Sequence, residues 1–134
     1  MTHHPDIVAA FLAAYNSGDS TQIAGLFPAD GWQEDVAPGR MNKAPAGIAT
    51  GLAPFFEAVP DAHWTETDRI AAGTSIVVIY KLTGHLQKDL GPFKARGQSI
   101  AHPGVFVLKL REGRIVNAQD FWDPVEFGRQ VDRN

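Results

Sequence analysis

Helical spacing at the front of the chain and long β-rich stretches behind it predict an α+β fold: a curved antiparallel sheet wrapped around N-terminal helices to form a cone-shaped cup. Three observations carry that expectation. Apolar residues recur at helical spacing between Ile7 and Phe27. The segments 75–85, 100–110 and 115–122 are rich in β-branched and aromatic residues, and 62–71 alternates loosely. Glu112-Gly113 is a tight-turn signal between the last two of these segments.

In chain order, Pro5 and Asp6 open a first helix, since proline at the first position and an early acid are both favourable there. Ile7, Val8, Phe11, Leu12 and Tyr15 give it one apolar stripe, and Asn16-Ser17-Gly18-Asp19 stops it. Ser20 can cap a second short helix carrying Ile23, Leu26 and Phe27 and ending at Pro28. Residues 32–36 read as a short strand, followed by a loop through Pro38, Gly39 and Pro45. Ile48, Leu52, Phe55 and Phe56 have helical spacing, but Gly47, Gly51 and Pro54 argue against a long regular helix. Val59-Pro60-Asp61 ends that element and four strands follow, with Gly104 a candidate bulge that would bend the sheet.

Composition narrows the function classes. A chain of 134 residues suits one domain over 1–134, large enough to fold without a metal or disulfide. The lack of cysteine removes thiol catalysis and thiolate metal sites and fits a reducing compartment. A net charge of −3 with no basic stripe speaks against nucleic acid as a partner. No apolar run approaches the roughly 18 residues that would span a membrane, and the first six residues lack a signal-peptide pattern, so a cytoplasmic protein is expected. His3 and His4 are adjacent near the start and no spaced His/Asp/Glu cluster appears, so no metal and no cofactor are expected.

Strand parity selects the residues that face the cup. Lys109 and Arg111 share one face of the third strand and point to solvent, leaving Ile100, His102, Gly104, Phe106 and Leu108 inward. The last strand is ambiguous, because Ile115, Asn117, Gln119, Phe121 and Asp123 alternate with Val116, Ala118, Asp120 and Trp122. A two-residue loop at Glu112-Gly113 sets Phe106 opposite Gln119, whereas a three-residue loop adding Arg114 sets it opposite Asp120. Tyr15, Trp32, Phe55, Phe56, Trp64, Tyr80, Phe106 and Trp122 spread over every expected element. Each alone is more often core; several together around a cup suit a flat, mostly apolar ligand.

The order of short motifs resembles a known family. Residues 11–19, Phe-Leu-Ala-Ala-Tyr-Asn-Ser-Gly-Asp, are similar to the first-helix ending of SnoaL-like polyketide cyclases. Val59-Pro60-Asp61-Ala62-His63-Trp64 resembles their lead-in to the sheet, and Thr83-Gly84-His85 their Gly-His segment. Arg111-Glu112-Gly113-Arg114-Ile115, followed by Asp120 and Asp123, resembles their last hairpin and terminal acids. The resemblance implies the cystatin-like cone of the nuclear transport factor 2-like superfamily, which also holds ketosteroid isomerase and limonene epoxide hydrolase. It also implies the register with Asp120 inside the cup, as acid/base of an intramolecular aldol closure. The family's partner histidine falls on Phe106, so the aldol activity does not transfer intact.

Asp120 is therefore the expected catalytic group of a small cofactor-free cyclase or isomerase. Apolar neighbours would raise its pKa from about 3.9 toward the range useful near neutral pH. The plainer reading is an aspartate tied to a neighbouring side chain in a pocket without chemistry. Tyr15, Trp32, Tyr80, His102, Phe106 and Trp122 are the expected ligand contacts. His102 lies about 13 Å along the strand from the level of Asp120, so a direct pair is not expected, but the two could touch opposite ends of one ligand. Asp35 resembles the proton-shuttling aspartate of ketosteroid isomerases, yet the rest of that machinery is missing and a pocket-rim acid is the plainer reading. Arg96 sits in a Gly/Lys-rich connection that poorly suits an Asp-Arg-Asp water relay. The expected partner is an apolar polyketide-, steroid- or terpenoid-like molecule; a homodimer could form through Val105 and Val107 on the outer face. The alternative is a non-catalytic binding or assembly module of the same fold.

Overall fold

The chain turns helical at Asp6, whose side chain accepts hydrogen bonds from the backbone N–H groups of Val8 and Ala9. In the computed structural model, which describes residues 6–133, this cap opens α1 (Ile7–Asn16). Pro5, His3 and His4 lie outside the described residues. The second cap is Asp19, which accepts from Thr21 N–H ahead of α2 (Ser20–Ala24). Ser20 is thus not the cap; its hydroxyl donates to the Ala49 carbonyl at 2.7 Å and ties α2 to α3 (Ala46–Ala58).

The strands are β1 (Trp32–Asp35), β2 (Arg40–Lys43), β3 (His63–Ala72), β4 (Ser75–His85), β5 (Ser99–Arg111) and β6 (Arg114–Trp122). They form one curved, unclosed sheet in the order β2-β1-β6-β5-β4-β3, with β1–β6 parallel and every other pair antiparallel. The chain finishes in α4 (Pro124–Arg133), entered through Asp123, whose side chain accepts from Val125 and Glu126 N–H. The architecture is the expected α+β cup.

Alternation sets the concave face of β5: Ile100, His102, Gly104, Phe106 and Leu108 are buried, while the residues between them are partly or fully exposed. Phe11 of α1 meets Phe106 edge-to-face at 4.9 Å, and both are fully buried. Burial at that level stabilises by about 2–3 kcal/mol per ring. Asn16 fixes α1 to the sheet at two points, donating to the Trp64 carbonyl at 3.0 Å and accepting from Trp64 N–H at 2.7 Å. Gln130 does the same for α4 on Ala101, at 2.8 and 3.0 Å.

Three features differ from the sequence expectations. The α3 helix runs thirteen residues through Pro54, because Ile48 and Phe56 anchor it in the core and packing outweighs the lost backbone bond. Gly51 is also used: a Cβ there would collide with the Asn42 side chain, which packs against the helix. The β5–β6 connection is a two-residue turn at Glu112 (φ 53°) and Gly113 (φ 75°), followed by a bulge at Val116. Leu110 pairs with Ile115 but Lys109 with Asn117, so Phe106 does face Asp120, by a bulge and not by a longer loop. Gly104 is not a bulge, since the ladder with β4 runs unshifted through it and the ladder with β6 ends on it in register.

Candidate active site

A cavity of about 360 Å³ opens between the concave sheet face and α1, α3 and α4. Tyr15, Leu52, Phe55, Phe56, Trp64, Leu82, Leu90, Phe93, Trp122 and Phe127 give it a mostly apolar wall. Gln33, Asp35, Arg40, Asn42, Tyr80, His102 and Asp120 supply its polar points. Gln33 and Asn42 are both buried and joined by a hydrogen bond, with Asn42 Nδ2 donating to Gln33 Oε1 at 2.7 Å.

Asp120 sits mid-sheet on β6, opposite Phe106 on one side and Asp35 on the other. Its Oδ1 accepts a hydrogen bond from the Tyr80 hydroxyl at 2.7 Å. Tyr80 is two strands away on β4 and reaches Asp120 by lying across Gly104; a Cβ at residue 104 would collide with its ring and hydroxyl. Gly104 is therefore a notch for a side chain crossing the strand. A glycine inside a strand often marks such a close approach, the one signal that could have exposed this pair in the sequence.

Burial pushes the Asp120 carboxyl up to about 7; the Tyr80 hydrogen bond works the other way, and the nearby Asp35 charge adds to the rise. Asp35, half-buried, is raised as well by burial, against the opposing effects of the Trp122 hydrogen bond and the Arg40 charge. Its Oδ1 accepts from Trp122 Nε1 at 2.6 Å, so the indole N–H fastens β6 to β1. Asp35 thus lines the cavity as a half-buried acid beside Asp120. Burial and the charges of Asp120 and Asp35 push Tyr15 and Tyr80 well above the usual tyrosine range, so both keep their hydroxyl protons.

Of the expected ligand contacts, Tyr15, Tyr80, His102 and Trp122 line the cavity together with Asp120. Phe106 and Trp32 do not: Phe106 is fully buried beneath it, against Phe11, Tyr15 and Tyr80, while Trp32 lies outside its wall. Arg96 donates to the carbonyls of Val131 and Asp132, holding the end of α4 away from any relay with Asp120. Tyr15 Oη, Trp64 Nε1 and both ring nitrogens of His102 are buried polar atoms without a partner among the described residues. No group of three or more His, Asp or Glu among those residues is arranged to hold a metal ion, and no helix is long and apolar enough to cross a membrane.

An open α+β cone with a carboxyl-bearing cavity against its concave sheet is the ketosteroid isomerase-like fold. Its likeness to solved structures is extensive. A Catenulispora acidiphila protein described as having that fold, crystallised with trimethylamine, shares 24% identity over 97% of this chain and 95% of its own, with a TM-score of 0.82. A protein from Shewanella putrefaciens assigned as a SnoaL-like polyketide cyclase shares 17% identity over 98% and 100%, with a TM-score of 0.85. TerC, co-crystallised with polyporic acid, shares 18% over 95% and 96%, with a TM-score of 0.75. None of the curated proteins compared matches the chain. The sequence pattern of the SnoaL-like polyketide cyclases matches residues 6–131, and the chain belongs to that family.

Proposed function

We propose that this protein is a cyclase- or isomerase-type enzyme that moves a proton at a carbon beside a carbonyl group in an apolar, ring-bearing small molecule, with Asp120 as general acid/base. The observation that carries this reading is a carboxyl in the wall of an apolar cavity, hydrogen-bonded to Tyr80 through Oδ1, where burial pushes its pKa up to about 7. Oδ2 has no hydrogen-bond partner among the described residues and is the atom that exchanges the proton.

The ionised carboxylate takes the proton from the carbon, leaving an enolate. The Tyr15 hydroxyl, buried on the cavity wall near enough to feel the Asp120 charge, donates to the enolate oxygen and spreads that charge. The enolate carbon then attacks a second carbonyl of the same molecule, and Asp120 returns its proton to the resulting alkoxide. In the isomerase variant it returns the proton to another carbon. Either way Asp120 ends the cycle ionised and no external acid is consumed. The ligands crystallised with the Catenulispora protein and with TerC support a cavity that takes small molecules. A homodimer through the outer face, where Val77 pairs with Val107 and Ile79 with Val105, and residence in the cytoplasm complete this reading.

Asp120→Asn keeps the shape and the Tyr80 contact but cannot exchange the proton. Turnover of a cyclising polyketide ester should fall at least a thousandfold while binding of the compound, followed by fluorescence, changes little. Undiminished turnover in the variant would make the cup a binding module and end the catalytic reading.

A further inference from the structure

His102 is 2% exposed and lines the same cavity, yet neither ring nitrogen has a hydrogen-bond partner among the described residues. Its immediate surroundings are the ring edges of Trp122 and Phe127, at 6.2 and 5.9 Å between centroids. A protein seldom leaves a buried imidazole unmatched without a reason. Burial lowers its pKa, outweighing the charges of Asp123 and Glu126, so the ring is neutral and offers one donor and one acceptor nitrogen.

The position of the ring is as informative as its isolation. His102 stands in a cross-strand row with Leu82 and Trp64, whereas Asp120 stands in the row of Phe106 and Val78. Those rows are four residues apart along β5, about 13 Å at 3.3 Å per residue. His102 and Asp120, the latter with the Tyr80 hydroxyl on its Oδ1, thus mark two ends of the cavity, with the row of Gly104 and Trp122 between them. Arg40 is the only Lys or Arg among the described lining residues, and it is exposed, so neither end suits a buried anionic group.

We infer that His102 recognises a neutral hydroxyl or carbonyl oxygen at the far end of an elongated, ring-bearing ligand whose near end is held at Tyr80 and Asp120. This deepens the proton-transfer reading by giving its substrate a length and a second polar terminus. A short or one-ended molecule satisfies only one pole. Leaving the imidazole unmatched then costs affinity, the same asymmetry that lets hydrogen-bonding sites reject analogues lacking one hydroxyl.

The test compares 2,6-dihydroxyanthraquinone with 2-hydroxyanthraquinone, which differ by one terminal hydroxyl, by absorbance titration of the intact protein. The wild type should prefer the dihydroxy compound about tenfold, and His102→Phe, which keeps a ring in the space, should bind both equally. The His102 ring ¹⁵N resonances of the wild type should move with the dihydroxy compound and stay put with the monohydroxy one, a reading that does not depend on the variant folding. Equal binding by the wild type, a preference retained in His102→Phe, or unmoved ring resonances would each overturn the inference. Turnover in Asp120→Asn beside the wild-type titration separates the two readings: turnover lost with the wild-type preference present supports both, turnover lost with equal binding by the wild type removes only this one, and turnover retained with the preference present removes only the proton-transfer reading.

Discussion

Asp120 is pulled in opposite directions by its two polar neighbours, and each can be removed separately. Tyr80 donates to Oδ1 and favours the ionised form, whereas the Asp35 charge on the adjoining strand disfavours it. Tyr80→Phe should therefore raise the acid limb of the pH–rate profile and lower kcat at pH 7 by about tenfold. Asp35→Asn should shift the same limb to lower pH. Profiles of kcat measured between pH 5 and 9 check both signs; shifts in the same direction would show that the two neighbours do not act through Asp120. Apolar lining alone suggested the raised pKa in the sequence. Tyr80 as the partner was not legible, because the contact spans two strands and depends on what residue 104 lacks.

At the scale of single elements, β5 carries the site by what it omits. Gly104→Ala places a methyl where the Tyr80 ring and hydroxyl lie, so Tyr80 must swing off Asp120. Activity should fall to the level of Tyr80→Phe or below, with a stability loss of about 1–3 kcal/mol by urea unfolding. Wild-type activity in Gly104→Ala would mean that the crossing is not needed. The four long strands were legible because β-branched and aromatic residues are concentrated over stretches of nine or more residues. Two elements were not. The four-residue β2 lies in a stretch dominated by Pro38, Gly39 and Pro45, and its strand character comes from pairing with β1. The last helix, α4, did have a signal, Asp123-Pro124 followed by Phe127 and Val131 at helical spacing, both now buried.

For the molecule as a whole, the Asp120 carboxyl ties stability to pH. Its folded pKa of about 7 lies above its ordinary value of 3.8, so the native state binds the extra proton between those limits. The resulting stabilisation is complete below about pH 3.8 and is lost as pH rises to about 7. Asp120→Asn should remove that loss and so be more stable than the wild type at pH 8, by about 2–4 kcal/mol once the partial hydration of the cavity is allowed for. Urea titrations at pH 4, 6 and 8 would decide it; parallel curves for the two proteins would place the carboxyl near its ordinary value. Asp6, Asp19, Asp30, Asp61 and Asp89 are all lowered and act with the opposite sign, which is why the difference between the proteins is the quantity to measure. The cup itself was legible in the order of elements. The pairing of β1 with β6 was not, since strands at the two ends of a chain leave no local mark of their adjacency.

That pairing also orders events during synthesis. β6 lies between β1 and β5, and the Trp122–Asp35 bond closes a loop of 87 residues. Until β6 leaves the ribosome, β1 and β2 can form only a hairpin, and β3, β4 and β5 a separate three-stranded sheet. Neither piece contains both carboxyl groups. The cavity with its two carboxyl groups is therefore absent until the sheet is whole, and slow long-range closure, not local helix formation, sets when it forms.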